Sequence, residues 1–301
     1  MLQVGIFTGY FPYSLTETAR KIQHLGFNTV QLDVNFKDMD LSTDQITSEK
    51  CETIRDTFRD FNLPICCISA YSNLVNPDLD KRKAILKHVK KLIRHARDLG
   101  SPYVISETGT FDTQSDWVHH PKNKTEEGYQ ECRKVISELA QEAYDHGSIF
   151  VIETYVNNVI GSIEETQRLL ADVDSPGLGL LMDPTNYFEA HNINDMDGEL
   201  NRIFNALDDK IYIAHAKDVK ATGYQMEEKH ADIDASESHT FRGVGAIELP
   251  APGLGQLNYD LYLQRLSRKH PNIPIIIEHL EEADIPRAKK FIDDKCKMNR
   301  V

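Results

Sequence analysis

Acidic and imidazole side chains stand at the ends of several apolar runs in this sequence. Glu153 directly follows the apolar run 149–152, and Asp183, His215 and Glu278 end later runs in the same way. A carboxylate at the end of a buried strand is costly to desolvate unless a partner compensates its charge. Three carboxylates that converge with an imidazole would repel one another severely without a cation between them. If the fold brings these side chains together, they predict a metal site.

Eight short apolar runs rich in β-forming residues predict the strands that would position these groups. They are LQVGIF from Leu2, NTVQLD from Asn28, PICCIS from Pro64, PYVISE from Pro102, IFVIE from Ile149, GLGLLMD from Gly177, IYIAH from Ile211 and IPIIIEH from Ile273. Runs that are apolar almost throughout are typical of parallel strands buried on both faces. The C-terminal ends of the last five carry Glu107, Glu153, Asp183, His215 and Glu278.

Amphipathic helical patterns separate the runs. In DKRKAILKHVKKLIRHARDLG one face is apolar, and we expect Gly100 to end the helix. In IGSIEETQRLL, Ser162 and Glu165 have the spacing of a capping box. Strands that alternate with helices eight times in 301 residues fit a single α/β domain over residues 1–301, a closed (β/α)8 TIM barrel.

An open, doubly wound sheet is the alternative architecture. It is less favoured because no GxGxxG motif follows the first strand and no linker rich in Pro, Gly or Ser marks a second domain. In a barrel the active site forms at the C-terminal rim, where all five strand-end residues would meet.

The composition excludes several classes of partner. With 47 acidic and 34 basic residues, the formal net charge of -13 would repel nucleic acid phosphates and anionic lipid. The start, MLQVGIFTGYFPYS, lacks the features of a signal peptide, and no apolar run approaches the about 20 residues of a membrane span. We therefore expect a cytoplasmic protein that binds neither nucleic acid nor membrane. The five cysteines, which include the adjacent Cys66 and Cys67, are expected to be reduced core thiols.

The order and spacing of several segments form a recognisable pattern. These segments are VIETYVNNVIGSIEETQRLL, LLMDPTNYF, HAKD, APGLGQLNYDLYLQRL and IIIEHLE, together with SAYSNLVNPD and SETGTF after the third and fourth strands. The pattern resembles the xylose isomerase-like barrels, a family that includes sugar phosphate isomerases and epimerases, ketose 3-epimerases, inosose dehydratases and endonuclease IV. The resemblance covers nearly the whole chain.

The resemblance implies a role for each of the four strand-end residues. In the family, the matching positions bind one divalent metal ion, which here implies Glu153, Asp183, His215 and Glu278 as ligands. Their mostly oxygen donors suit Mn²⁺, Mg²⁺ or Co²⁺, and Zn²⁺ is also compatible. In the epimerases of the family, the two glutamates lie on opposite faces of the substrate, and one removes a proton that the other returns. Glu153 and Glu278 would be this catalytic pair, in an order that depends on the substrate.

Further residues are expected to bind the substrate: Glu107, Trp117, Asn186, Lys217 and Arg242. Lys217 could instead pair with a nearby carboxylate such as Asp218 or Glu248. Asn186 stands where some relatives have a histidine, and its amide suits sugar hydroxyls. Trp117 belongs to a long loop after the fourth strand that suits a lid, although a packed or subunit-contacting loop is as plausible. Glu107 could alternatively orient a neighbouring group or be a paired structural acid.

The leading hypothesis is a metal-dependent sugar or polyol isomerase or epimerase. A dehydratase of an inosose-type keto-polyol is its near neighbour, because both reactions begin with proton removal next to a carbonyl. An endonuclease IV-like phosphodiesterase is disfavoured, since Ser69, Tyr71, Glu107 and Asn186 stand where that activity needs additional metal-binding histidines. A barrel that only binds a ligand is disfavoured because all four ligand types are present.

The segment after the last strand argues against a phosphorylated substrate. In EHLEEADIPRAKKF, Glu281, Glu282 and Asp284 stand at a helix start where a phosphate would otherwise bind. They would repel a second anion, although Lys217, Lys220 and Arg242 could offset this and the acids could simply cap the helix. We expect a small non-phosphorylated carbohydrate or polyol as the partner, and a homo-oligomer by resemblance alone.

Overall fold

The eight apolar runs form the strands of a closed parallel barrel in the computed structural model, which describes residues 2–222 and 247–301. The strands are β1 (Gln3–Phe7), β2 (Thr29–Leu32), β3 (Ile65–Ser69), β4 (Tyr103–Glu107), β5 (Ile149–Glu153), β6 (Leu178–Met182), β7 (Ile211–Ala216), β8 (Lys220–Ala221), β9 (Ile247–Glu248) and β10 (Pro274–Ile277). The barrel order is β1-β10-β7-β6-β5-β4-β3-β2, and β8 and β9 form a separate antiparallel pair. The eighth barrel strand is thus β10.

One α-helix follows each barrel strand. The helices are α1 (Leu15–His24), α2 (Ser48–Asp60), α3 (Leu79–His95), α4 (Glu126–Asp145), α5 (Ile163–Val173), α6 (Met196–Leu207), α7 (Tyr259–Lys269) and α8 (Ile285–Asn299). Short 3-10 segments cover Thr8–Tyr10, Thr43–Gln45, Pro121–Lys124, Pro184–Tyr187, Asp208–Lys210 and Glu282–Asp284. This alternation confirms the (β/α)8 architecture and rules out the open sheet.

The helix termini follow local sequence signals. The expected capping box is present at the start of α5: the Ser162 hydroxyl accepts a hydrogen bond from the Glu165 backbone, and the Glu165 carboxylate accepts one from the Ser162 backbone. The prediction that Gly100 ends α3 was wrong in detail. The helix ends at His95, and a turn follows in which Ala96 N–H donates to Ile93 O before Gly100 adopts φ +82°.

A layer of apolar side chains fills the barrel below its mouth. The layer comprises Cys67, Ile105, Val151, Leu181, Ile213 and Ile276. Each of the last five lies two residues before one of the strand-end residues singled out in the sequence: Glu107, Glu153, Asp183, His215 and Glu278. Because side chains two residues apart in a strand share a face, those polar groups lie on the interior face, directly above the apolar layer.

The cysteines are all free thiols, as expected. Cys51, Cys67, Cys132 and Cys296 are buried, and Cys66 is half-buried at an irregularity between β2 and β3. None of the helices in the described part of the chain is both long and apolar enough to cross a bilayer.

Candidate active site

The four strand-end residues of the second half of the barrel meet at one place. Nδ1 of His215 lies 3.4 Å from Oε1 of Glu153, 3.9 Å from Oδ2 of Asp183 and 3.3 Å from Oε2 of Glu278. Glu153, Asp183 and His215 each offer one possible ligand atom, and these three atoms lie within 4.8 Å of one another. Glu278 is outside that group of three, although its carboxylate approaches the same ring nitrogen.

Lys217 places a positive charge among these carboxylates. Its Nζ lies 3.0 Å from Oε1 of Glu153, 2.8 Å from Oδ2 of Asp183 and 3.5 Å from Oε2 of Glu278. Burial by itself lowers the pKa of Lys217, but the three carboxylates outweigh it and hold the pKa well above its ordinary value. Lys217 is therefore a counter-ion of the carboxylate cluster.

The partners proposed for Lys217 from the sequence are engaged elsewhere. Asp218 accepts hydrogen bonds from the backbone N–H groups of Val219, Gly253 and Leu257, which organises the chain before α7. Glu248 pairs with Lys220 across β8 and β9, at 3.2 Å. The alternative that Lys217 pairs with a nearby carboxylate is thus confirmed, but its partners are Glu153, Asp183 and Glu278. The examples Asp218 and Glu248 were wrong, because the inward-facing strand ends provide three carboxylates within reach.

The two glutamates have different electrostatic surroundings. For Glu153, burial favours the neutral acid, but Lys217 and His215 outweigh it and lower the pKa well below its ordinary value. For Glu278, burial prevails over the attraction of His215 and Lys217, and its pKa is raised. The pKa of His215 is raised by Glu278 and Glu153 against the opposing effect of burial. One carboxylate is thus held ionised, and the other protonates more readily.

Two residues that the sequence analysis did not assign to the cluster hold these groups in place. Oε1 of Gln31, on β2, lies 2.9 Å from Nε2 of His215, and Nε2 of Gln31 donates to Oε1 of Glu278 at 3.2 Å. Tyr71, beyond the end of β3, donates a hydrogen bond from its hydroxyl to Oε2 of Glu153. The sequence offered one indication of this role for Gln31: it is a polar residue inside the apolar run NTVQLD, and a buried amide needs hydrogen-bond partners.

The cluster fits a divalent cation. Oδ1 of Asp183 accepts hydrogen bonds from the backbone and hydroxyl of Thr185, at 3.0 and 2.6 Å. Nδ1 of His215 is buried and lacks a hydrogen-bond partner among the described residues, and Oδ2 of Asp183 contacts the Lys217 ammonium, at 2.8 Å. A buried ring nitrogen without a partner is costly, and an ion bound by Nδ1 of His215 and Oδ2 of Asp183 would satisfy it. Carboxylate oxygens with one imidazole nitrogen are donors that Mg²⁺, Mn²⁺ and Zn²⁺ accept.

The other residues expected to bind substrate lie around the cluster to different extents. Asn186 donates its side-chain N–H to Oε1 of Glu153 at 2.7 Å. Glu107 is the register partner of Glu153 on β4, and burial together with the Glu153 charge raises the pKa of Glu107 well above its ordinary value. The Trp117 ring packs edge-on against Tyr155, with 6.5 Å between the ring centroids. Arg242 lies outside the described residues.

The fold and the cluster define a class of protein: a parallel eight-stranded barrel with acidic side chains and an imidazole at its C-terminal mouth. The chain belongs to the family described as xylose isomerase-like TIM barrel, whose model matches residues 19–295. A comparison with curated proteins finds no significant match. The family resemblance stated from the sequence motifs is thereby confirmed.

Solved structures share the fold over the full length of the chain. The apo form of 3-keto-D-glucoside 4-epimerase from E. coli has a TM-score of 0.66 and 14% identity, covering 100% of this chain and 99% of that one. The probable 3-DHS dehydratase AsbF from Bacillus anthracis has a TM-score of 0.69 and 18% identity, covering 97% and 99%. A xylose isomerase-like TIM barrel protein from Mycobacterium smegmatis in complex with magnesium has a TM-score of 0.69 and 15% identity, covering 99% and 96%. At such identities the likeness concerns the fold alone.

Proposed function

We propose that this protein is a divalent-metal-dependent isomerase or epimerase of a small, non-phosphorylated sugar or polyol, and that it moves a proton at a carbon next to a carbonyl. The observation that carries the proposal is the buried Nδ1 of His215, which lacks a hydrogen-bond partner among the described residues and faces the carboxylates of Glu153, Asp183 and Glu278. The mixture of isomerases, epimerases and dehydratases that the family resemblance implies supports the same reaction class.

Glu153, Asp183, His215 and Glu278 would hold the ion. Mn²⁺, Mg²⁺ or Co²⁺ suits the three carboxylates, and Zn²⁺ is compatible with the imidazole. When bound, a divalent ion supplies positive charge beside the substrate oxygens and so acidifies the carbon between them. The similar barrel from Mycobacterium smegmatis in complex with magnesium supports a hard divalent ion.

Glu153 and Glu278 are the proposed proton-transfer pair. They belong to β5 and to the residue after β10, which are separated in the barrel by β6 and β7, so they reach the mouth from different sides. Glu153 is held by Tyr71, Asn186 and Lys217. One carboxylate would remove the proton and the other would return it, which inverts or relocates a stereocentre.

The remaining residues would bind the substrate around this pair. The Lys217 ammonium can exchange its contacts with the carboxylates for a contact with a substrate oxygen, and the Asn186 amide can contact a hydroxyl. Trp117, which packs on Tyr155, would cover the sugar from the loop after β4. Arg242, in the seventh connection, is proposed as a substrate contact from the sequence alone.

A keto-polyol dehydratase is the second candidate, and Glu107 favours it. Loss of water from a β-hydroxy ketone needs an acid that protonates the departing hydroxyl, in addition to the base that removes the proton. The raised pKa of Glu107, which burial and the neighbouring Glu153 charge cause, favours the protonated carboxyl that a proton donor needs. The structural likeness to a probable 3-DHS dehydratase agrees with this candidate.

Metal titration followed by substrate screening tests the proposal. Calorimetry with Mn²⁺ should show one equivalent bound, and Asp183→Ala should weaken binding by more than the about 10- to 100-fold typical of outer-shell changes. Asp209→Ala, which alters an exposed carboxylate paired with Lys269, is the control and should bind like the parent. The loaded protein is then assayed on ketoses, inososes and abasic DNA. Unchanged Mn²⁺ affinity in Asp183→Ala, or activity on abasic DNA alone, would refute the proposal.

A further inference from the structure

Gln31 connects two of the proposed metal ligands, His215 and Glu278, although it belongs to a strand of the first half of the chain. It lies in β2, is fully buried, and pairs in register with Phe7 and Cys67 of the adjacent strands. Its amide contacts the imidazole of His215 with one end and the carboxylate of Glu278 with the other. A buried primary amide in an otherwise apolar strand is costly, so its retention requires the hydrogen bonds it makes here.

The charge of Glu278 determines which end of the amide faces which partner. Nε2 of Gln31 donates to Oε1 of Glu278 at 3.2 Å. The flipped amide would place its carbonyl oxygen against the carboxylate and its NH₂ group against the imidazole, so two acceptors would meet. The Sγ of Cys67, 3.8 Å from Oε1 of Gln31, also donates to that oxygen and favours the same orientation. Oε1 of Gln31 therefore faces His215 as an acceptor.

An acceptor at this position determines where His215 keeps its proton. Nε2 of His215 lies 2.9 Å from Oε1 of Gln31 and must carry the hydrogen that this contact requires. In the neutral imidazole, Nδ1 is then the nitrogen with a free lone pair. Nδ1 is also the nitrogen that faces Glu153 and Glu278 and has no hydrogen-bond partner among the described residues.

The same amide selects one oxygen of Glu278. Oε1 of Glu278 accepts from Gln31, whereas Oε2 lies 3.3 Å from Nδ1 of His215, on the side of the cluster. We propose that Gln31 is a positioning residue which directs Nδ1 of His215 and Oε2 of Glu278 toward the metal ion by engaging the other polar atom of each side chain. The inference rests on the proposed metal site, and it assigns Gln31 no contact with the substrate.

Metal affinity without substrate is the first test. Gln31→Met keeps the length of the side chain but removes its donor and acceptor, and we expect it to weaken Mn²⁺ binding by about 10- to 100-fold in calorimetry. Gln23→Met is the matched control, because Gln23 is exposed on α1 and its side chain donates to the backbone oxygen of Phe61. Binding within about twofold of the parent in Gln31→Met would overturn the inference.

The tautomer of His215 is the second test, and a merely structural role of Gln31 would leave it unchanged. In ¹⁵N-histidine-labelled protein without added metal, at alkaline pH, two-bond ¹⁵N–¹H spectra should show the His215 proton on Nε2 in the parent and lose this preference in Gln31→Met, with the signal assigned by its absence in His215→Gln. A proton on Nδ1 in the parent would overturn the inference even if Gln31→Met failed to fold. If the parent binds Mn²⁺, Asp183→Ala abolishes this binding and Gln31→Met does not weaken it, the inference about Gln31 fails while the proposed function stays intact. A parent that binds no divalent ion would refute both.

Discussion

The ammonium of Lys217 lies 2.8 Å from Oδ2 of Asp183, whereas Thr185 donates to the other oxygen of this carboxylate, Oδ1. Asp183 comes directly after β6 and Lys217 directly after β7, and these strands are neighbours in the barrel. The lysine thus compensates the charge of the cluster at the oxygen that a divalent ion would use. A bound ion and the ammonium must therefore compete for the same carboxylates.

Removal of the lysine charge should strengthen metal binding while it lowers turnover. Two unit positive charges about 4 Å apart repel each other by about 4 kcal/mol at the effective dielectric constant of protein sites, so even partial relief in Lys217→Met should tighten Mn²⁺ binding by about tenfold. Turnover should fall because the substrate loses a cationic contact. Calorimetry and steady-state kinetics measure the two effects, with Lys220→Met as the control, since Lys220 pairs with Glu248. Weaker Mn²⁺ binding in Lys217→Met would contradict the competition.

Neutralisation of either glutamate should stop the reaction. Glu153→Gln and Glu278→Gln each keep the shape of the side chain but cannot accept the proton, so kcat should fall by at least about 100-fold. In the parent, solvent deuterium should enter the substrate carbon, as mass spectrometry of the product would show. Glu281→Gln, an exposed neighbour of Glu278, should retain activity. Product formed without any deuterium from solvent would indicate a hydride shift and remove the two-glutamate assignment.

A free sugar or polyol should be a better substrate than its phosphate ester, with kcat/KM higher by at least about tenfold. The described charges after β10 support this prediction. Glu282 receives hydrogen bonds from Lys21 and Tyr13, and Asp284 pairs with Arg287 at 2.6 Å. The basic groups beside these acids at the start of α8 are thus already paired and are not available to a phosphate. A higher kcat/KM for the phosphate ester would contradict this interpretation and direct attention to Lys220 and Arg242.

Stability should respond to acid through an ion pair between α4 and α5. Glu126 accepts two hydrogen bonds from the Arg168 guanidinium, at 2.7 and 2.8 Å, and this contact lowers the pKa of Glu126 to about 2. The folded state holds the carboxylate ionised more strongly than the unfolded chain does. The stabilisation is therefore complete above the ordinary glutamate pKa of about 4.3 and is lost as the pH falls through about 2.

The carboxyl ¹³C shift of Glu126, followed by NMR titration, measures this effect directly. Arg168→Met should return the pKa of Glu126 toward its ordinary value, because the guanidinium is the main cause of the shift. Arg94→Met, which removes a guanidinium paired with Glu142 near the other end of α4, should leave the titration unchanged. An equally low pKa in Arg168→Met would show that the ion pair is not the cause.

The local sequence determined the strands, the helix caps and the chemical character of the rim. Apolar runs such as 149–152 and 178–182 must be buried wherever they lie, and the acids that follow them must end at a polar edge. The capping box at Ser162 depends only on residues within one helical turn, which is why its prediction from spacing is confirmed.

The partners of the buried polar groups were decided only by the tertiary structure. Gln31 is far in sequence from Glu278, and Tyr71 from Glu153, so neither contact leaves a local signal. Lys217 could be placed on the same strand side as His215, but its partners depend on which strands adjoin β7 after the barrel closes. A hydrogen bond or ion pair is set by distances of a few ångströms between strands, and local periodicity specifies the direction of a side chain without specifying what lies opposite.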